Sequence, residues 1–178
     1  MRGVVVITGV MASGKSTVAQ ALAERLPRAA HVRGDVFRRM IVSGREEYVP
    51  GGEGSDGEGA AQLRLRYRLS AATADAYAEA GFTAVVQDVV LGEDLAAYVG
   101  LVRTRPLYVV VLAPSAEAVA VREAGRAKTG YGAWTVADLD GALRASTPRL
   151  GLWLDSSELT VGETVEAILA GRERARVC

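Results

Sequence analysis

Residues 3–17 read GVVVITGVMASGKST, and the two halves of that stretch follow different periodicities. Gly3–Thr8 is a short β-branched apolar run bounded by glycine, the pattern of a strand buried on both faces of a parallel sheet. From Lys15 onward the apolar residues fall at Val18, Ala19, Leu22, Ala23 and Leu26, a helical stripe that stops before Pro27. Between strand and helix, Gly9–Ser16 fits G-x-x-x-x-G-K-[ST] at every fixed position. In that context backbone N–H groups converge on one point, and the positive end of the helix dipole faces the same point. The stretch therefore predicts an anion cradle, with Gly9 and Gly14 supplying the backbone freedom it needs.

The anion that such a loop fits is a nucleotide polyphosphate. Gly9, Met11, Ala12, Ser13, Gly14, Lys15, Ser16 and Thr17 are the expected nucleotide-binding residues. Lys15 would bridge the β- and γ-phosphates, Ser16 would ligate Mg²⁺ and Thr17 would reach the α-phosphate. Neither lysine of the chain, Lys15 or Lys128, lies in an N-K-x-D stretch of the kind guanine recognition uses, so ATP is the expected nucleotide.

Outward from the loop, strand and helix patterns keep alternating. Ala29–Arg33 reads as a strand with Gly34-Asp35 at its carboxyl end, followed by a helical stretch at Val36–Val42. Leu63–Ala80 reads as a helix with Ser70 as a possible internal cap, and Gly81 stops it. Strands are expected at Thr83–Leu91, Leu107–Leu112 and Leu152–Leu154. Helices are expected at Glu93–Val102, Ser115–Gly125, Val136–Ala145 and Val161–Ala170, the last with Thr160 and Glu163 as a capping box. The alternation predicts an α/β fold, a three-layer α/β/α sandwich around a five-stranded parallel sheet with right-handed crossovers. One domain over 1–178 is expected, with a mobile substrate loop at about 43–60 and a lid at about 122–134. Arg64, Arg66 and Arg68 alternate with Leu65, Tyr67 and Leu69, which suits a strand as well as a helix with an arginine-rich solvated side.

Composition narrows the function classes. The chain has 178 residues, 49% hydrophobic and 24% charged, the balance of a soluble globular protein. Apolar runs are too short to span a bilayer and no signal-peptide pattern opens the chain, so a cytoplasmic protein is expected. Acids and bases balance at 21 each, which gives no field for a nucleic-acid polyanion. Cys178 is the only cysteine, so neither an internal disulfide nor a cysteine-rich metal site is possible. His31, in an apolar strand, reads as structural.

Residues at the carboxyl ends of neighbouring parallel strands meet in one crevice, so Asp35 and Asp88 are expected to face the phosphate loop. Asp35 is the candidate general base for a substrate hydroxyl; a helix cap is its alternative role. Asp88 closes the run Ala84–Gln87 and could hold Mg²⁺ through water or bind substrate. Arg38, one turn after Asp35, could hold that carboxylate or an anionic substrate group. Arg122 and Arg126, four residues apart before a glycine-containing loop, have the placement of lid arginines that neutralise a transferring phosphoryl group.

Taken together, the phosphate loop, Asp35, Arg38, Asp88, Arg122 and Arg126 resemble the P-loop kinases grouped around the kinase domain of polynucleotide kinase, chloramphenicol phosphotransferase and zeta toxin. The resemblance covers most of the chain and implies a P-loop NTPase fold like that of nucleoside monophosphate kinases. It implies Asp35 as general base, Arg38 as a substrate contact, Lys15 and Arg126 as catalytic groups, and ATP with Mg²⁺. The lack of a phosphatase domain and of a basic surplus departs from polynucleotide kinase and favours a small-molecule hydroxyl acceptor, such as an antibiotic or other natural product. A nucleoside or oligonucleotide 5′-hydroxyl kinase, and an ATP-binding switch, are the alternative readings.

Overall fold

Strand β1 (Val4–Gly9) occupies the middle of the sheet, and all six of its residues are buried. This computed structural model describes residues 1–48, 57–125 and 135–178. The remaining elements are α1 (Lys15–Arg25), β2 (Ala29–Arg33), α2 (Gly34–Arg39), α3 (Glu58–Glu79), β3 (Thr83–Gln87), α4 (Glu93–Leu101), β4 (Leu107–Leu112), α5 (Ala116–Ala124), α6 (Val136–Ser146), β5 (Leu152–Leu154), α7 (Val161–Ala170) and α8 (Arg172–Ala175). The sheet is parallel throughout, in the order β2-β3-β1-β4-β5.

The apolar strands feed two cores. On one face Val4, Val6, Val86, Val109 and Val111 pack with Tyr67, Ala71, Leu95, Tyr98 and Leu143. On the other, Val5, Ile7, Val85, Val110 and Leu112 pack with Val18 and Leu22 of α1 and Val165 and Ile168 of α7. Alternate strand residues point to opposite faces, so a sheet covered on both sides needs an apolar residue at every position. Each such side chain contributes roughly 1.5–3 kcal/mol when fully buried. Among the described residues no helix is long and apolar enough to cross a membrane.

The expected layers and strands are present, and the capping box at Thr160 and Glu163 forms at the start of α7. Several boundaries move. The helix after β2 begins at Gly34 and ends at Arg39, so Asp35 sits in its first turn rather than as its cap. The long helix starts at Glu58 and runs straight through Ser70, whose buried hydroxyl binds the Tyr67 carbonyl (3.1 Å) and the Tyr98 hydroxyl (2.9 Å) instead of capping anything. Strand β3 stops at Gln87, four residues short of the apolar run. The Thr8 hydroxyl accounts for that, because it accepts from the Val90 N–H (2.9 Å) and donates to the Val90 carbonyl (2.8 Å). A side chain of β1 thus takes the place of ladder bonds and steers the chain off the sheet just after Asp88.

Candidate active site

The phosphate loop leaves β1 at Gly9 and enters α1 at Lys15. Gly9 has φ +145°, and a Cβ there would run into the Leu112 carbonyl and lie 2.9 Å from Ser13 Oγ, so only glycine lets the loop lie this close to β4. Ala12 and Gly14 are left-handed at φ 58° and 92°, which curls the loop before the helix. The N-terminus of α1 has no side-chain cap. Its first N–H groups thus remain available to an anion. Lys15 Nζ folds onto the Val10 carbonyl at 2.5 Å, and Ser13 Oγ is buried with no hydrogen-bond partner. Ser16 and Thr17 are exposed on the first turn.

These features fit a nucleotide. An uncapped helix end, an orphaned buried hydroxyl and a lysine resting on a loop carbonyl are all groups that phosphate oxygens would satisfy. Among the described residues no three His, Cys, Asp or Glu side chains cluster as a metal site. Magnesium fits here in its usual manner, with few protein ligands and the remainder from phosphate oxygens and water, Ser16 being the protein ligand to hand.

Asp35 and Asp88 both lie at the carboxyl edge of the sheet, but in different states. Asp35 carries an ion pair from Arg39 to Oδ2 at 2.9 Å, while its Oδ1 is buried and unpartnered. The expected Asp35–Arg38 contact is absent. Arg39, at i+4, takes the carboxylate, and Arg38 turns to Glu47 in the segment after α2.

Asp88 is fully buried, and Arg66 grips it with both sides of its guanidinium fork, Nε reaching Oδ2 at 2.8 Å and a terminal nitrogen reaching Oδ1. The Val89 N–H adds a bond to Oδ1 at 2.7 Å. With both oxygens occupied by cationic or N–H donors, Asp88 is not the solvent-facing carboxylate that a water-mediated magnesium contact requires. Its contacts instead hold Arg66. Gly34 is part of this packing, since any Cβ at that position would overlap the Asp88 carboxylate. Burial pushes the Arg66 guanidinium below its ordinary pKa; Tyr67 and Asp35 pull it back up, and Arg38 adds to the fall. Arg66 thus feels the charges of both Asp35 and Arg38.

Arg66 and Arg38 line a cleft of about 140 Å³ with Phe37, Ile41, Leu65 and Leu69. Gln62 closes one side by bonding the Gly44 carbonyl (2.7 Å) and the Glu46 N–H (2.9 Å). Arg122 differs from the expected lid arginine. Its guanidinium donates to the Ser156 and Ser157 carbonyls at 2.7 and 3.1 Å, fastening α5 to the turn after β5. Arg126 and Lys128, with most of the expected lid, lie outside the described residues, as do residues 49–56 of the expected substrate loop. His31 binds Gln20 through Nδ1 at 2.9 Å, and burial lowers its pKa, which suits a neutral structural ring.

Sequence reasoning missed Arg66, Arg39 and the packing role of Gly34. The only signal for Arg66 was its place in the Arg64–Arg68 alternation, which does not distinguish the inward-facing arginine until the helical phase is known.

Residues 4–147 match the model of a family described as AAA domain. No curated protein matches the sequence. Among solved structures, a sugar kinase from Janibacter sp. HTCC2649 has a TM-score of 0.71 at 21% identity, over 98% of this chain and 96% of that one. An APS kinase from Mycobacterium tuberculosis, in complex with AMPPNP and APS, gives 0.66 at 19% identity over 97% and 98%. The tunicamycin resistance protein of Deinococcus radiodurans gives 0.63 at 17% identity over 96% and 95%. At these identities the likeness is one of fold, and it agrees with the P-loop kinase resemblance read from the residues.

Proposed function

The chain belongs to the AAA-domain family, and we propose that within it the protein is a kinase that moves the γ-phosphate of ATP to a hydroxyl of a small molecule. The observation that carries this reading is Asp35 Oδ1. It is a buried carboxylate oxygen with no partner, at the same sheet edge as the phosphate loop and on the same short helix as an arginine-lined cleft. An acceptor placed there suits a protein that receives a hydroxyl group as well as a nucleotide. Buried polar groups without partners are uncommon and call for a ligand or a catalytic role.

Each residue then has a task. Asp35 Oδ1 accepts the proton of the acceptor hydroxyl while Arg39, paired with Oδ2, orients the carboxylate. The hydroxyl oxygen forms its bond to the γ-phosphorus as the bond from that phosphorus to the β,γ-bridging oxygen breaks, leaving ADP and a phosphate monoester. Lys15 shifts from the Val10 carbonyl to the phosphate oxygens, and the loop N–H groups and the α1 terminus stabilise the charge that develops there. Mg²⁺ on Ser16, with phosphate oxygens and water, would supply further charge neutralisation. Arg126 enters on its sequence position alone. The kinase names of the fold neighbours, among them sugar kinase and gluconokinase, support a small hydroxyl acceptor. The tunicamycin resistance protein keeps an antibiotic or natural-product acceptor within the reading.

The test is ATP consumption against a panel of sugars, sugar acids, nucleosides and antibiotics, with mass detection of the phosphorylated product. Asp35→Asn should lower kcat/KM by about 10²–10⁴-fold while AMPPNP still binds. Full transfer by that variant would remove Asp35 as the base.

A further inference from the structure

Helix α3 buries only one of its sides. Tyr67, Ser70, Ala71 and Ala74 turn inward, whereas Leu65, Leu69 and Tyr77 on the outer side are 37%, 41% and 43% exposed. Between Leu69 and Tyr77 the small side chains of Ala72, Thr73 and Ala76 floor a shallow apolar groove of about 480 Å³, which Phe82 closes beyond the helix. The rings at that end are already fixed. Tyr77 and Phe82 stand edge to face with centroids 5.9 Å apart, and Arg28 lies 4.2 Å over the Phe82 ring while it donates to the Ala80 carbonyl at 3.2 Å. From Leu65 to Ala80 the strip is about 23 Å long at the rise of an α-helix. Apolar surface gathered in one place in this way marks an interaction site, and rigid aromatic anchors are what such sites are built on.

The charges beside the strip select the occupant. Arg68 and Glu79 are eleven residues apart, which puts them within about 20° of each other around the helix, on the edge that borders Ala72. Both are exposed, and Glu79 has a long 3.7 Å contact with Arg103, which Asp75 also holds. The edge is therefore positive in its first half and negative in its second, with its midpoint between Thr73 and Ala74. Leu69 and Tyr77 are centred on nearly the same point, at Thr73. A strip with that arrangement is complementary to itself turned end for end.

We propose that the occupant is a second copy of this chain, with the two α3 helices antiparallel about a two-fold axis beside Thr73. Such an axis keeps each edge on its own side, so Arg68 of either copy faces the partner's Glu79, and Leu69 packs one residue out of level with the partner's Tyr77. The alanines between them leave room for the backbones to approach to the usual helix-packing distance of about 8–10 Å. A different protein's apolar helix would fill the groove equally well but would not require the edge charges to match one another. Leu69 lines both the groove and the cleft beside Asp35, so pairing brings the second copy to the border of that cleft.

The experiment is sedimentation equilibrium of the full chain over about three decades of concentration. The mass should rise from 18.7 kDa toward twice that value. Ala76→Arg, at an exposed position in the middle of the strip, should keep the chain monomeric with an unchanged far-ultraviolet circular dichroism spectrum. Arg68→Glu and Glu79→Arg should each weaken the dimer about tenfold, since two attractive pairs become two repulsive ones. An equimolar mixture of those two variants should regain the wild-type affinity, because every facing pair is again of opposite sign. A wild type that stays monomeric throughout, as it would if another protein or another part of the chain covered the strip, overturns the inference. So does an Ala76→Arg variant that still dimerises, or a mixture that associates no better than either variant alone.

Discussion

Replacing Arg66 by methionine keeps most of the side-chain volume and removes the charge that faces Asp88. The carboxylate is fully buried, and the Arg66 side chain is only 16% exposed. Removing one member of a buried ion pair costs about 3–5 kcal/mol, because the other is left charged in a low dielectric. Here the Val89 N–H still donates to Oδ1 at 2.7 Å, which places the expected loss near the low end, about 3 kcal/mol. That is a large share of the roughly 5–15 kcal/mol that holds a domain folded. With a urea slope of about 2 kcal/mol per molar, the unfolding midpoint should fall by about 1.5 M with the slope unchanged. Adding Asp88→Asn removes the stranded charge, so the double variant should be more stable than Arg66→Met alone, by about 1–2 kcal/mol. A single variant within about 0.5 kcal/mol of wild type, or a double variant that only adds a further loss, would refute the idea that Asp88 exists to hold Arg66.

Thr8→Val is nearly isosteric but leaves both the N–H and the carbonyl of Val90 without the hydroxyl that serves them, and should cost about 2 kcal/mol in a urea titration; a loss below about 0.5 kcal/mol would mean that the chain after β3 is held by packing alone. Asp75 offers a pH test. Burial alone would raise its pKa, but hydrogen bonds from Thr104 and Arg103 outweigh it and hold the carboxyl below its ordinary value. A group depressed in the folded state contributes stability that is present above its unfolded pKa, about 3.9, and is lost as pH falls through the folded value. The stability difference between wild type and Asp75→Asn should therefore shrink as pH drops below about 4, and a difference constant with pH would remove the linkage.

The parts of this fold that were legible in the sequence are those in which neighbours along the chain decide the outcome. The phosphate loop, the strand ranges of β2, β4 and β5, and the Thr160–Glu163 cap are local patterns, and they stand where the periodicity puts them. The β3 end was not legible, because Val89–Leu91 is as apolar as a strand and the hydroxyls that hold it aside come from distant residues, Thr8 at 82 residues from Val90 and Tyr67 at 22 residues from Val89. The Arg66–Asp88 pair was hidden for the same reason: 22 residues separate its members, and the alternating arginines allow two backbone periods. The choice between Arg38 and Arg39 as partner to Asp35 turned on a competing carboxylate, Glu47, from outside the helix. The lid arginine Arg122 was read from spacing, but spacing says nothing of the two carbonyls that hold its guanidinium.

The central place of β1 bears on how the protein is made. Its ladder partners are β3 and β4, and Gly9 is paired with Leu112, which is translated 103 residues later. At roughly 5–20 residues per second, a ribosome needs on the order of 5–20 s to cover that distance. For that interval the phosphate loop exists as sequence but lacks the neighbouring strand whose carbonyl shapes it at Gly9. The nascent chain is thus expected to gain affinity for nucleotide late and in one step, when β4 has cleared the exit tunnel, so cellular ATP would act on the finished sheet and not as a template for it.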